Sequence, residues 1–341
     1  MEAYYYQHLT KPQQAAYHAM KVGFTALSPA FPVPRLENRE LSDIFFQLRL
    51  DCPEIFYVTG FSYRFAPGAE TVELLPEYLF EKAKIKDHQK ALAARVEKLA
   101  RPAQKMTALE KEQYIHDFIC TNVRYDKLKK PYSHEIIGPL GQGVGVCEGI
   151  AKSVKILCGA LGLWCIIAIA DNNPEAGVKY RHAWNILKVD GQYVHLDATF
   201  DNSLGQEGVI RYDYFNLDDK RLFRDHQRLV YPVPACTNGE HFYYKEKKLS
   251  FTKIEDVCKR AQMPLRKDLP FVFHWRGGYL TREVLSDLVK ALDETAQKRG
   301  KHAAVSYNWP QAVLSVRFPA QLPQEELVAQ EANEGEQYDG E

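Results

Sequence analysis

The dipeptide Asp190-Gly191, set between the strand-like runs Ala183 to Val189 and Gln192 to Leu196, constrains this chain more than any other feature. Asp-Gly accommodates the positive backbone angles of a two-residue hairpin turn. Such a turn pairs Val189 with Gln192, and the ladder carried back from it sets Trp184 opposite Asp197 and His182 opposite Thr199. Side chains alternate along a strand, so His182, Trp184, Asp197 and Thr199 share one face, with His182 diagonal to Asp197 at ~7–8 Å between backbone positions. A slip of one residue would separate the histidine and the aspartate onto opposite faces.

A histidine and a carboxylate on one face invite a search for a nucleophile. Gly138-Pro139, Gly141, Gly143 and Gly145 punctuate a loop, and Val146 to Leu161 then reads as a helix with Cys147 in its first turn. Unpaired N–H groups at a helix start favour thiolate over thiol, and the glycines permit close approach of a substrate carbonyl. The loop does not read as a phosphate cradle, because no Gly-Lys-Ser or Gly-Lys-Thr follows it and no strand signal immediately precedes it. A thiol, a base within reach and a group that orients the base are the parts of covalent acyl transfer.

Val146-Cys147-Glu148-Gly149-Ile150-Ala151, His182-Ala183-Trp184-Asn185 and Asp197-Ala198-Thr199-Phe200-Asp201, in that order, resemble the core of the transglutaminase-like superfamily, whose fold is related to papain-type thiol proteases. The likeness spans about residues 105 to 225. Arg211-Tyr212-Asp213-Tyr214-Phe215-Asn216 and Asp225-His226 are similar to segments that follow the core in bacterial members. The resemblance implies an α+β fold in which a helix carrying Cys147 packs on an antiparallel sheet carrying His182 and Asp197, with small α+β domains on either side. It also implies Cys147 as nucleophile, His182 as base and then acid, and Asp197 as the orienting carboxylate. Two departures from bacterial relatives are Ile150 and Ile137, where those proteins often carry tyrosine. Gln142, five residues before Cys147, resembles the upstream glutamine that helps hold the oxyanion in papain-like enzymes, although an exposed loop glutamine is the commoner case and the backbone N–H of Cys147 is the safer donor.

Each residue also has a plainer role. Cys158 and Cys165 lie in apolar runs and are expected in the core. His195 shares a face with Asp197, so Cys147, His182, His195 and Asp197 could form a metal site. The triad already explains three of the four, and no His-x-x-x-His pair is present, so no metal or cofactor is expected. Trp184 is expected beside the triad, shielding the histidine–aspartate bond or packing in the core, with substrate contact as a further candidate role. Asp201 and Asn202 could brace the strand end or make a turn.

The rest of the chain supplies context. Its 341 residues allow two or three domains. The boundaries read as an N-terminal α+β domain over 1–104, the core over 105–235, a small α+β domain over 236–320 and an acidic, disordered tail over 321–341. In the first of these, helices are expected over Lys11 to Leu27, Leu41 to Leu50 and Pro76 to Ala100, with strands around Phe56 to Phe65 and Thr71 to Leu75; Thr107 and Glu110 form a capping-box pattern opening a helix to about Val123. Strands over Phe271 to Trp275, Ala304 to Trp309 and Ala312 to Phe318, with a helix over Thr281 to Lys298, mark the C-terminal domain. Lys plus Arg and Asp plus Glu number 44 each, so no global field draws the protein to nucleic acid or an anionic membrane. The longest mostly apolar run, Leu157 to Ala170, is shorter than the ~20 residues of a spanning helix. The N-terminus lacks a secretory pattern, and seven scattered cysteines without Cys-x-x-Cys spacing argue against a disulfide scaffold or zinc ribbon. The expected location is cytoplasmic.

The expected function is thiol acyl transfer on an amide or peptide through a thioester, resolved by water in a peptidase or amidase. Resolution by an amine, giving a transglutaminase, uses the same triad and stays open at this level. A noncatalytic peptide-binding module on the same fold is the competing class, and an interaction scaffold built on the flanking domains is compatible with either.

Overall fold

The computed structural model describes residues 3–205 and 208–321. The acidic tail read from the sequence therefore lies outside the described residues, apart from Gln321. The described residues divide into two compact units, one of residues 3–205, 208–210 and 214–239, the other of residues 211–213 and 240–321.

The first unit opens with helices α1 (Tyr4–Gln7) and α2 (Lys11–Thr25), strand β1 (Phe31–Pro34), helix α3 (Asn38–Asp51), strands β2 (Val58–Arg64) and β3 (Thr71–Tyr78), and helix α4 (Lys82–Ala100). The three strands form an antiparallel sheet in the order β1-β3-β2. The helix expected from Pro76 starts six residues later, because Pro76 pairs with Phe61 inside β3. Helix α5 (Ala108–Asn122) begins at the capping box seen in the sequence, with the Thr107 hydroxyl accepting from the Glu110 N–H and the Glu110 carboxylate accepting from the Thr107 N–H at 2.8 Å.

A short parallel pair, β4 (Arg124–Tyr125) and β5 (Val144–Gly145), brackets a segment expected as plain loop. That segment makes a tight helical turn over Pro131–His134 and a wide one over Ile137–Gln142. The wide turn ends at Gly143, which has φ 65°, a left-handed conformation that glycine adopts without strain. Helix α6 (Cys147–Ala160) follows, packed against the sheet of β6 (Cys165–Ala170), β7 (His182–Val189), β8 (Gln192–Leu196) and β9 (Phe215–Leu217). The order is β6-β7-β8-β9 and every pairing is antiparallel. Strand β6 and most of β7 are buried, which matches their near-continuous apolar sequences.

Two further helices complete this unit, α7 (Ala198–Leu204) between β8 and β9 and α8 (Asp219–Leu222) after β9. Residues 3–104 pack into the same unit as the core: the Tyr5 hydroxyl donates to the Ile167 carbonyl at 2.5 Å, and Tyr5 and Leu50 share an apolar cluster with Ala151, Ile167, Ile169 and Ala183. Lys155 of α6, wholly buried, donates to the Leu50 carbonyl at 2.9 Å and lies 3.7 Å from Asp51. Burial raises the pKa of Asp51, against the pull of Lys155 and three donors from Tyr5, Tyr6 and Tyr17.

The second unit holds α9 (Tyr243–Glu246), β10 (Ser250–Phe251), α10 (Ile254–Arg266), β11 (Phe271–Trp275), α11 (Arg282–Gln297), β12 (Ala304–Asn308) and β13 (Val313–Arg317). Its sheet runs β10-β11-β13-β12, and α10 and α11 contribute Val257, Ala261, Leu265, Leu288 and Leu292 to its core. Asp213 belongs to this unit, where it pairs with Arg211 at 2.6 Å and accepts from Tyr244 and Asn308.

Candidate active site

Three locally determined elements converge on the site. The hairpin of β7 and β8 has the register expected from its turn, from Val189↔Gln192 to Asn185↔Leu196, and Asp190 and Gly191 both have positive φ, 47° and 83°. The two expected pairings beyond Leu196, Trp184 with Asp197 and His182 with Thr199, are not part of the ladder. His182 does not face Thr199, because β8 ends at Leu196 and Asp197 turns the chain into α7 by accepting from the N–H groups of Thr199 and Phe200 on Oδ1, both at 3.0 Å. An aspartate at a helix N-cap satisfies donors that the helix leaves unpaired. The same residue keeps Oδ2 for His182, whose Nε2 lies 2.6 Å away.

Cys147 opens α6 and is half-buried. Its helix start is fixed from outside by the loop ahead of it, where the Val146 N–H donates to the Ser133 carbonyl at 3.0 Å. The loop crosses so closely that a Cβ on Gly149 would fall 2.2 Å from that carbonyl, so only glycine fits two residues after the cysteine. With Nε2 of His182 on Asp197, its Nδ1 is left for the thiol of Cys147, which lies close enough to raise the pKa of the ring. Burial pulls the pKa of His182 down, but Asp197 and Cys147 outweigh it and the imidazole is pushed up to about 10. Burial likewise opposes ionisation of Asp197, yet His182 and His226 hold its carboxyl well below the ordinary range. The structure thus brings Cys147, His182 and Asp197 together, with His182 hydrogen-bonded to Asp197, Asp197 and Trp184 inside, and the edge of His182 and Cys147 open to solvent.

The remaining candidates fall elsewhere. Trp184 is 1% exposed, its ring stacks 5.8 Å from that of His182, and its indole N–H is donated to Nδ1 of His195 at 3.0 Å. It walls the histidine and has neither surface for a substrate nor a donor to spare for an oxyanion, which corrects that part of the expectation. Gln142 lies exposed on the wide helical turn, in the wall of a cavity of about 430 Å³ formed with α4 and α5, and none of the triad lines that cavity. Among the described residues it makes no hydrogen bond to the triad. His195 does not join Cys147, His182 and Asp197: its Nε2 bonds to Asp219 at 2.8 Å, with Cys236 close by. Two groups bring possible metal-ligand atoms within 4.8 Å, His182 with Asp197 and His226, and His195 with Asp219 and Cys236. In both, the imidazole nitrogens already hydrogen-bond directly to the carboxylates, a use that leaves those atoms satisfied without an ion. All seven cysteines are free thiols; Cys158 and Cys165 are buried as expected, and Asn185 donates to the Cys165 sulfur at 3.4 Å.

Three features of the site escaped the sequence reading. Glu148, next to Cys147, is held by Lys152 at 2.8 Å, Arg49 at 3.3 Å and His134 at 3.3 Å, while Glu135 pairs with both Lys152 and Arg49. Burial would raise the pKa of Glu148, but these partners hold it well below the carboxylate range. A network of buried charges therefore clamps the first turn of α6 to α3 and to the preceding loop. Tyr125, opposite Gly145 in the β4–β5 pair, is the second feature: burial and then the charge of Cys147 push its phenol up. Third, Asp201 and Asn202 of α7 reach across to α5, with Asp201 on His116 at 3.0 Å and Asn202 on the Val123 carbonyl at 2.8 Å. The capping pattern and the Asp-Gly turn are local signals; the Arg49–Glu135, Asp201–His116 and Asn202–Val123 contacts join residues 79 to 86 positions apart and have no local signature.

Residues 93–198 match the sequence profile described as "Transglutaminase-like superfamily". No curated protein matches the chain in sequence. Solved structures with some likeness include a TGase (11% identity, 50% of each chain, TM-score 0.28). Two more are a provisionally assigned cysteine protease from Cytophaga hutchinsonii (14% identity, 41% of this chain and 61% of that one, TM-score 0.24) and a provisionally assigned protease from Parabacteroides distasonis ATCC 8503 (14% identity, 41% and 36%, TM-score 0.26). The chain spans less than two thirds of each, and at these TM-scores the likenesses carry no argument about it.

Proposed function

With residues 93–198 matching the profile of the transglutaminase-like superfamily, we propose that the chain is a thiol acyl-transfer enzyme acting on an amide or peptide. The observation that carries this reading is the chain of contacts from Cys147 through His182 to a buried Asp197 at 2.6 Å. Such an arrangement activates a nucleophile and orients its base.

Cys147 gives its proton to Nδ1 of His182, and the thiolate attacks the amide carbonyl. Negative charge on the former carbonyl oxygen meets the N–H of Cys147, which as a first-turn donor has no partner inside the helix, and the phenol of Tyr125. The tetrahedral intermediate collapses as His182 returns the proton to the leaving nitrogen, and a thioester remains on Cys147. His182 then takes a proton from water as the water attacks, releasing acid and thiol. An amine in place of water gives a new amide, the transglutaminase outcome. Asp197 stays ionised throughout, fixing the tautomer of His182 and stabilising its cation.

The test is the pH dependence of iodoacetamide labelling at Cys147, read by peptide mass spectrometry in the native protein and in His182→Ala and Asp197→Ala. Fast labelling at pH 5 to 6 that slows in both variants supports the reading. Labelling that rises only near pH ~8.5 in all three proteins, the behaviour of an ordinary thiol, sinks it and favours a peptide-binding module. An activated thiol justifies a screen of glutamine peptides, where amine incorporation outrunning ammonia-releasing hydrolysis would mark a transglutaminase.

A further inference from the structure

Asp197 serves two histidines. Its Oδ2 accepts from Nε2 of His182 at 2.6 Å and also from Nε2 of His226 at 2.9 Å. The other nitrogen of His226, Nδ1, lies 2.8 Å from Oδ1 of Asp225, and Oδ2 of Asp225 accepts from the Tyr214 hydroxyl at 2.5 Å. The ring of His226 is buried against Trp184, Phe200 and Tyr214, with centroids at 5.0, 4.7 and 5.4 Å.

Both nitrogens of His226 face carboxylate oxygens, and an ionised carboxylate has no hydrogen to give. Each nitrogen must therefore donate, which makes the ring an imidazolium. We propose that His226 is a positioning residue held as a fixed cation, dividing the Asp197 carboxylate between two imidazoles so that His182 keeps a proton it can still release. The inference rests on the reading of Cys147 and His182 as nucleophile and base.

The electrostatics follow from the spacing. Burial lowers the pKa of His226, but its bonds to Asp197 and Asp225 outweigh this and raise it, against the repulsion of His182. The groups facing it are Asp197 at the start of α7, His182 on β7, Tyr214 before β9 and Asp225 beside it, with His195 on β8 also within electrostatic reach. The rings of His182 and His226 are 5.5 Å apart. At an effective dielectric constant near 20, a unit charge at that distance moves a pKa by ~2 units. Without His226 the carboxylate would hold the His182 proton more tightly, and acid catalysis to the leaving nitrogen would slow.

The experiment pairs the Cys147 alkylation profile of the native protein with that of His226→Gln, whose amide can keep a neutral donor on Asp197. Removing the cation should move the upper inflection, set by loss of the His182 proton, up by ~1–2 pH units, while the variant remains folded by circular dichroism. The second measurement needs no variant: nitrogen-15 shifts of the native protein should show both ring nitrogens of His226 protonated from pH 5 to 8. An upper inflection that stays in place in a folded variant overturns the inference and leaves the triad reading intact, as does a neutral His226 ring at pH 7. A native thiol with no activation overturns both.

Discussion

Replacing Asp197 by asparagine removes a charge and almost no volume, and the structure says which free energy goes with it. In the native protein the carboxylate is wholly buried, with two backbone donors on Oδ1 and two imidazoles on Oδ2. Asparagine keeps an oxygen for Thr199 and Phe200 but leaves the imidazoles without their shared anion. The raised pKa of His182, from 6.5 to about 10, corresponds to a ceiling of ~5 kcal/mol at ~1.4 kcal/mol per unit. Part of that belongs to Cys147, and removing one partner from a buried pair typically costs ~3–5 kcal/mol, so a loss of ~3 kcal/mol is expected. The pH dependence has a definite sign. A histidine with a raised folded pKa contributes stability that is complete below about 6.5 and is lost as pH rises through its folded value near 10. The lowered pKa of Asp197 contributes above its ordinary value of 3.8 and is lost on acidification. Native and Asp197→Asn proteins should therefore differ most between about pH 4 and 6.5 and converge toward pH 10. Urea titrations at pH 5.5 and 9.5, followed by tryptophan fluorescence, measure this. A difference under ~1 kcal/mol at pH 5.5, or one equal at both pH values, would refute the assignment of a buried ion pair.

Three other perturbations test the frame around the site. Gly149→Ala should cost at least ~1–3 kcal/mol and slow Cys147 labelling, because its Cβ would sit 2.2 Å from the Ser133 carbonyl; a melting temperature within a degree of native would contradict the crossing geometry. Glu112, wholly buried on Asn216, has its pKa pushed by burial to about 8. An acid whose folded pKa is raised loses stability as pH climbs from its ordinary value, so Glu112→Gln should stabilise by up to ~3 kcal/mol at pH 7 and by nothing near pH 4.5; a pH-independent difference in thermal unfolding would count against it. Thr107→Ala should lower stability by ~1 kcal/mol in a denaturant titration, since it removes the hydroxyl that accepts from the Glu110 N–H at the start of α5.

The parts of the site legible in the sequence are those fixed by neighbours along the chain. Asp190-Gly191 sets the β7–β8 register because a two-residue turn leaves the strands one way to pair, and that register leads β8 to Asp197 beside the β7 strand that begins at His182. The glycines before Cys147 and the Thr107–Glu110 box are local in the same sense. Alternation along β8 failed past Leu196, where the side chain of Asp197 satisfies helix donors better than a continued ladder would.

Tertiary structure alone decided the environment of those groups. His226 stands 29 residues from Asp197 and shares its oxygen, Arg49 reaches a carboxylate 86 residues away, and Lys152 and Lys155, polar letters on a helix, are buried against acids and carbonyls from other elements. A hydrogen-bond register propagates from residue to residue. The partner of a buried charge does not, since it is chosen by whichever segment the packed chain brings within about 3 Å, where charge-assisted bonds offset the loss of water. The sequence carried Cys147, His182 and Asp197 as candidates; the fold set how the carboxylate is shared and how strongly each proton is held.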